Sequence, residues 1–164
     1  MTETCCTADS PVGLLHLVSN GDALTSLVIT GTVSPLPTGH ACSAKADRVL
    51  ASAIKQLGQY FAGKRTSFDV PVTFAGTEFQ HDVWSALAKI PFGQTSTYGE
   101  LGAHAGHPGA GRAVGGCVGR NPIAIMVPCH RVLGSAHKIT GFSGGNGITT
   151  KQWLLEHEGI SYRA

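Results

Sequence analysis

The sequence predicts an α+β protein in two parts: a small α/β domain over residues 1–76 and a mostly helical domain over residues 77–164. Three observations lead there. Two apolar runs flank the turn signal Asn20-Gly21-Asp22, which describes an antiparallel hairpin. Apolar positions between Ser43 and Phe61 recur at helical spacing. Beyond Gly76, capping boxes and a glycine-rich segment replace strand patterning with short helices.

In chain order, Leu14 to Val18 and Leu24 to Ile29 are the strands on either side of the turn. Thr32 to Gly39 holds Ser34, Pro35 and Pro37 and reads as a loop. Val49, Leu50, Ala53, Ile54, Leu57, Tyr60 and Phe61 form the apolar stripe of one helix, with Gly63 as its stop. Phe68, Val70, Val72 and Phe74 alternate as a half-buried strand does.

Thr77 with Gln80 opens a helix whose stripe is Phe79, Val83, Trp84, Leu87 and Ile90, ended by Pro91-Phe92-Gly93. Thr97 with Glu100 opens a shorter one, to about Ala105. A Gly106-His107 corner follows, with Pro108 suited to the first turn of the next helix, so the pattern is a helix-turn-helix. Residues 109–118 hold four glycines, which cost a helix about 1 kcal/mol each against alanine. They read either as a loop or as a helix whose small side chains let its backbone approach another surface. The last helix runs from about Thr150 to His157, with Thr149 and Gln152 as its capping pair and Gly159 as its terminator.

Composition narrows the class. No apolar run approaches the roughly 18 residues of a membrane span, and Met1 to Ser10 lack a secretory pattern. The expectation is an intracellular protein, cytoplasmic, or nuclear in a eukaryote. Five cysteines, an odd number without a C-x-x-C pair, agree with a reducing compartment. Cys5, Cys6 and Cys42 with His16 or His40 match no metal-ligand spacing, so neither a metal nor another cofactor is expected. The net charge of +2 divides as −1 over residues 1–79 and +3 over residues 80–164.

The chemistry points to Cys129. Ile123 to Val127 run into Pro128-Cys129-His130-Arg131, an apolar strand ending on a thiol flanked by proline, imidazole and guanidinium. Between Glu100 and Glu156 there is no acid, while Arg112, Arg120, Arg131, Lys138 and Lys151 fall inside that window. Such a field should favour the thiolate, the nucleophilic form, and should attract a polyanion. In an extended segment Cys129 and His130 point to opposite faces, so a direct Cys–His pair needs a bend or a bridging water. A carboxylate to orient His130 must come from outside the window, and Glu156 and Glu158 are the candidates.

The segment Asn121 to Val132 resembles the active-site signature of the O6-alkylguanine-DNA alkyltransferases. The likeness continues through Phe79-Gln80, Val83-Trp84, Ile90-Pro91-Phe92-Gly93, Tyr98-Gly99-Glu100, Gly111 to Gly115 and Leu154 to Gly159, and more weakly through Asp9 to Gly13 and Tyr60 to Gly63. It implies a ribonuclease-H-like first domain and a winged helix-turn-helix-like second one. It also implies direct-reversal DNA repair: an alkylated guanine is flipped out of the duplex and its alkyl group passes to Cys129 once and permanently. Alkylated thymine stays open as a second substrate.

By the same resemblance His130 deprotonates Cys129 through a water, Glu158 orients His130, Tyr98 donates its phenol to the base, and Asn121 is a hinge before the active-site strand. Arg112 fills the gap left by the base, and the Ser143 amide binds the base oxygen. Ala113 and Gly115 face a minor groove, and Val132 and Phe142 complete the substrate contacts. The implied partner is double-stranded DNA carrying alkylated guanine, bound by a monomer, with no membrane. Phe142 departs from the family's frequent tyrosine, His137 stands where small residues are common, and the segment from Asn146 to Gln152 is about two residues longer than usual. A binding-only relative, a transcriptional regulator and a Cys–His hydrolase are the competing classes. The first lacks the cysteine, the second needs a further module, and the third is disfavoured by the adjacency of the pair.

Overall fold

A computed structural model describes residues 3–30 and 47–164. The expected loop at residues 32–39, the Ser43 end of the expected helical stretch, and Cys42 and His40 lie outside them.

Three antiparallel strands, β1 (Thr4–Ala8), β2 (Leu15–Ser19) and β3 (Leu24–Ile29), form a sheet in that order. The hairpin stands as its sequence requires: Asn20 Oδ1 accepts from the amides of Asp22 and Ala23 at 3.0 and 2.9 Å, and Gly21 takes φ +96°. Strand β1 is not foreseen by apolar patterning, since Cys6 is its one buried residue.

Helix α1 (Arg48–Phe61) is capped by Asp47 and lays Val49, Leu50, Ala53, Leu57 and Tyr60 against the sheet. Gly63, at φ +75°, closes it by a Schellman turn in which Lys64 N donates to Gln59 O.

The alternation of residues 68–74 does bury Val70 and expose Asp69, Pro71 and Thr73, yet no strand forms. Pro71 has no N–H for a ladder. The segment makes one parallel bridge, Val72 to Leu24. A second bridge, Leu27 to Ile123, docks the approach to Cys129 on the same strand. One apolar core runs continuously through both halves.

In the second half, α2 (Glu78–Leu87) opens on the complete Thr77–Gln80 capping box and ends three residues before Ile90. Strand β4 (Ser96–Thr97) pairs in parallel with β5 (Val132–Leu133), which no sequence pattern announces. Helix α3 (Tyr98–His104) is capped by Thr97, whose hydroxyl accepts from Glu100 N and bonds the Glu100 carboxylate.

The glycine-rich segment is a helix, α4 (Gly111–Gly119), beginning after Ala110, so Pro108 sits in the preceding turn rather than in its first turn. Val114, Cys117 and Val118 are buried, and Trp84 Nε1 donates to Cys117 O at 2.9 Å. This burial offsets the poor helix propensity. The glycine that a close approach requires is Gly102 on α3, where a Cβ would lie 3.0 Å from His107 O and 3.2 Å from Val114.

Helix α5 (Ile148–His157) starts after Gly147 at φ +68° with no side-chain cap. The Thr149–Gln152 pair does not cap it; Thr150 accepts from Asn146 N instead. Gly159 ends it in a second Schellman turn, Ile160 N donating to Leu155 O.

Candidate active site

The apolar run before Cys129 is not a strand. Pro122 and Pro128 bracket it, and after the single bridge at Ile123 the chain turns, with Val127 N donating to Ile123 O at 3.0 Å. Ile125 takes φ +69°, costly for a β-branched residue and held by the packing around it. Asn121 ties the turn together: Nδ2 donates to Val127 O at 2.7 Å and Ile123 O at 3.3 Å, while Oδ1 accepts from Ile123 N. This amide sits where the resemblance implies a hinge, and it joins α4 to a turn rather than to a strand. Cys129, His130 and Arg131 then form a 3-10 turn, so the extended geometry assumed for the pair does not hold.

His130 is fully buried and its Nε2 lies 2.6 Å from Glu158 Oε2. A carboxylate only accepts, so Nε2 carries the proton. Nδ1 is buried with no hydrogen-bond partner among the described residues. Glu158, rather than Glu156, is therefore the orienting acid. Its two oxygens also receive Arg131 Nε and Nη2 at 2.8 and 3.1 Å, Tyr60 Oη at 2.7 Å and Gly93 N at 3.3 Å. Burial pushes the carboxyl upward, but the bonds from His130 and Arg131 outweigh it and hold it well below the carboxylate range. Burial lowers His130, leaving the imidazole neutral at pH 7.

The thiol corrects the expectation from charge. Cys129 is 7% exposed, and burial raises it above an ordinary cysteine despite opposing help from the Asn121 amide, Lys151 and main-chain N–H groups. The acid-free window misleads because Arg131 is spent on Glu158, while Arg112, Arg120 and Lys138 are exposed. Lys151 is the one cation of that window that acts on the thiolate. It is almost fully buried, pushed down to about 8 by burial, and donates to Val132 O at 2.7 Å.

Tyr98 Oη bonds Thr140 Oγ1 at 2.6 Å, and Lys151 Nζ lies 3.5 Å from the same hydroxyl. Ser143 Oγ donates to Gly119 O, tying its loop to the end of α4, and half-buried Phe142 packs on the core. Arg112 and Ala113 stand exposed on α4. Gly115 is half-buried, with a Cβ position 3.8 Å from the Tyr98 ring, so it is not a free groove position. Val132 is fully buried core whose carbonyl holds Lys151, not an exposed substrate contact.

Tyr60 and Thr140 have no site signal in the sequence, where Arg131 and Lys151 count only as part of a positive field around Cys129. For Lys151 a signal exists: it shares the buried helical stripe of Leu154 and Leu155, where a lysine needs a reason. Among the described residues no three His, Cys, Asp or Glu side chains converge on a metal position, and no helix is long and apolar enough to cross a membrane.

Fold and site together define a class: a buried histidine–glutamate pair next in sequence to a buried cysteine, carried beside a helix-turn-helix. Comparison with known proteins gives the family. Residues 78–160 match the DNA binding domain of 6-O-methylguanine DNA methyltransferase, and residues 4–74 match its ribonuclease-like domain. The methylated-DNA--protein-cysteine methyltransferase of Mycolicibacterium paratuberculosis is 48% identical over 153 residues, covering 93% of this chain and 90% of that protein. The constitutive one of Bacillus subtilis is 40% identical, covering 96% of each. The crystal structure of Mycobacterium tuberculosis OGT in complex with DNA matches with a TM-score of 0.81 and 46% identity, over 96% of this chain and 92% of that one. The chain belongs to the 6-O-methylguanine DNA methyltransferase family and carries its DNA-binding domain.

Proposed function

We propose that this protein repairs DNA by direct reversal, taking the alkyl group of O6-alkylguanine onto Cys129 in a single, irreversible turnover. The observation that carries the reading is the buried His130–Glu158 pair next in sequence to the thiol, in which Glu158 fixes the His130 proton on Nε2 and leaves the Nδ1 lone pair free to serve as base. His130 takes the thiol proton, directly or through one water. The sulfur pair forms the new S–C bond, and the C–O pair stays on the guanine oxygen. Tyr98 donates a proton to the leaving base and is reprotonated from solvent as His130 releases the thiol proton, so for the base the net transfer is one alkyl group out and one proton in.

Lys151 and the Asn121 amide stabilise the charge that develops on sulfur. The reacting atom is inaccessible in a stacked duplex, so the base is flipped out. Exposed Arg112 and Ala113 on α4 suit a minor groove, Arg112 filling the space the base leaves, and the Ser143 amide receives the base oxygen. The protein acts as an intracellular monomer, with the domain boundary near residues 76–77, between the two family matches.

Incubation with a duplex containing O6-methylguanine, followed by intact mass measurement, tests the reading. The expected result is one added methyl per chain on the Cys129 peptide and none in Cys129→Ala. Repeated turnover, or a methyl on another residue, overturns it.

A further inference from the structure

The relay does not end within the second half of the chain. Tyr60, on the last turn of α1, is fully buried, and its hydroxyl donates to Glu158 Oε2 at 2.7 Å across 98 residues of sequence. That oxygen is the same one that accepts from His130 at 2.6 Å. The phenol is held on every side. Its ring meets Phe61, Phe68, Phe92 and His157 at centroid distances of 5.2, 5.6, 6.2 and 4.9 Å. Its main-chain carbonyl accepts from His157 Nε2 at 2.7 Å. A group this constrained has no other use for its hydroxyl.

We propose that Tyr60 is a positioning residue for the alkyl transfer: through Glu158 Oε2 it sets the proton affinity of His130, so the ribonuclease-like half supplies a working part of the relay. The inference rests on the reading of His130 as the base for Cys129. Each hydrogen bond accepted by a carboxylate oxygen withdraws density from it. With Tyr60 in place, Oε2 competes weakly for the His130 proton and stabilises the imidazolium less. Without it, Glu158 is more basic and His130 holds a proton to higher pH. The other charged and titratable groups around His130 are Arg131, Lys151 and Cys129, and none of them bonds the Tyr60 hydroxyl, which donates to Glu158 alone. Burial and the Glu158 charge both push Tyr60 well above an ordinary tyrosine, so it stays a neutral donor throughout.

The test is the pH dependence of Cys129 alkylation by iodoacetamide, read by mass on the Cys129 peptide of the full chain. Tyr60→Phe keeps the ring and loses the donor. The acid limb should move to higher pH by about 0.5–1 unit, the part of a charge-assisted hydrogen bond passed on through the carboxylate. Tyr60→3-fluorotyrosine, introduced at this position alone, strengthens the donor and should move the limb to lower pH. If Tyr60→Phe does not fold, the fluorinated variant decides alone. Leu57→Ala, buried one turn earlier on α1 and with no polar group to offer Glu158, controls for loss of packing. It should melt earlier and leave the limb in place. An unmoved limb in the Tyr60 variants, or an equal shift in Leu57→Ala, overturns the proposal. Because iodoacetamide replaces the alkylated base, failure of the wild-type protein to accept a methyl group would sink the repair reading separately.

Discussion

The heaviest load in the site falls on one carboxylate, and Glu158→Gln measures it. Glutamine keeps the shape and one acceptor oxygen but turns the other position into a donor. If its NH2 group takes the Oε2 position, it faces Tyr60, His130 and Arg131 Nη2, all donors. If it takes the Oε1 position, it faces Arg131 Nε at 2.8 Å and Gly93 N at 3.3 Å. Either choice sets donor against donor and leaves the Arg131 guanidinium, 6% exposed, without a counter-charge. Removing one partner of a buried ion pair costs about 3–5 kcal/mol. In a chain of this length each kcal/mol moves the melting midpoint by roughly 2–4 °C, so Glu158→Gln should melt about 6–20 °C below wild type at pH 7.

The pH dependence carries an independent sign. Glu158 is held well below the carboxylate range in the folded protein. Its contribution is therefore complete above the unfolded value near 4.3 and is lost as pH falls toward the folded value. Melting followed by circular dichroism should show a gap between the two proteins that is constant from about pH 5 to 7 and narrows below about pH 4. A variant melting within about 3 °C of wild type, or a gap as wide at pH 3 as at pH 7, would refute the reasoning.

Two further outcomes separate DNA contact from chemistry and packing. Ala113 is exposed on α4, so Ala113→Trp should weaken duplex binding at least about tenfold by fluorescence anisotropy, since one lost groove contact is worth about 1.4 kcal/mol or more. Its reaction with free O6-methylguanine should be unchanged, and an equal loss of both activities would contradict the assignment of that face. Methylation of Cys129 places an extra carbon in a site packed into the core, at a cost of about 1–3 kcal/mol. The methylated protein should melt measurably earlier in differential scanning calorimetry, and an unchanged midpoint would contradict it.

How far the sequence could be read follows from how local each signal is. The Asn20-Gly21 hairpin, the Thr77–Gln80 capping box and the glycine stops at Gly63 and Gly159 are settled within a few residues, and they appear where the pattern puts them. The alternation of Phe68 to Phe74 reports burial correctly but cannot report pairing, because Pro71 lacks the donor that a ladder needs. The apolar run before Cys129 reads as a strand because its length fits one, yet Pro122 and Pro128 leave room only for a bridge and a turn. Charge misleads for a different reason. A count along the chain treats Arg131 and Lys151 as part of one field, whereas folding spends the first on Glu158 and buries the second beside the thiol. The Tyr60–Glu158 contact has no local signal at all.

The raised thiol belongs to the chemistry rather than opposing it. In the resting protein burial keeps Cys129 protonated, which protects it from passing electrophiles. The Asn121 amide, the Lys151 ammonium and the main-chain N–H groups favour only the charged sulfur, so on the proposed mechanism their effect appears as the proton leaves toward His130. Interactions that strengthen between ground state and transition state are the ones that lower a barrier. Once alkylated, the sulfur is a neutral thioether with no proton to give, and its carbon–sulfur bond is not hydrolysed at a useful rate, so the residue is lost as a nucleophile. On the proposed mechanism the thioether, and not a released product, is therefore the outcome that the mass measurement must find.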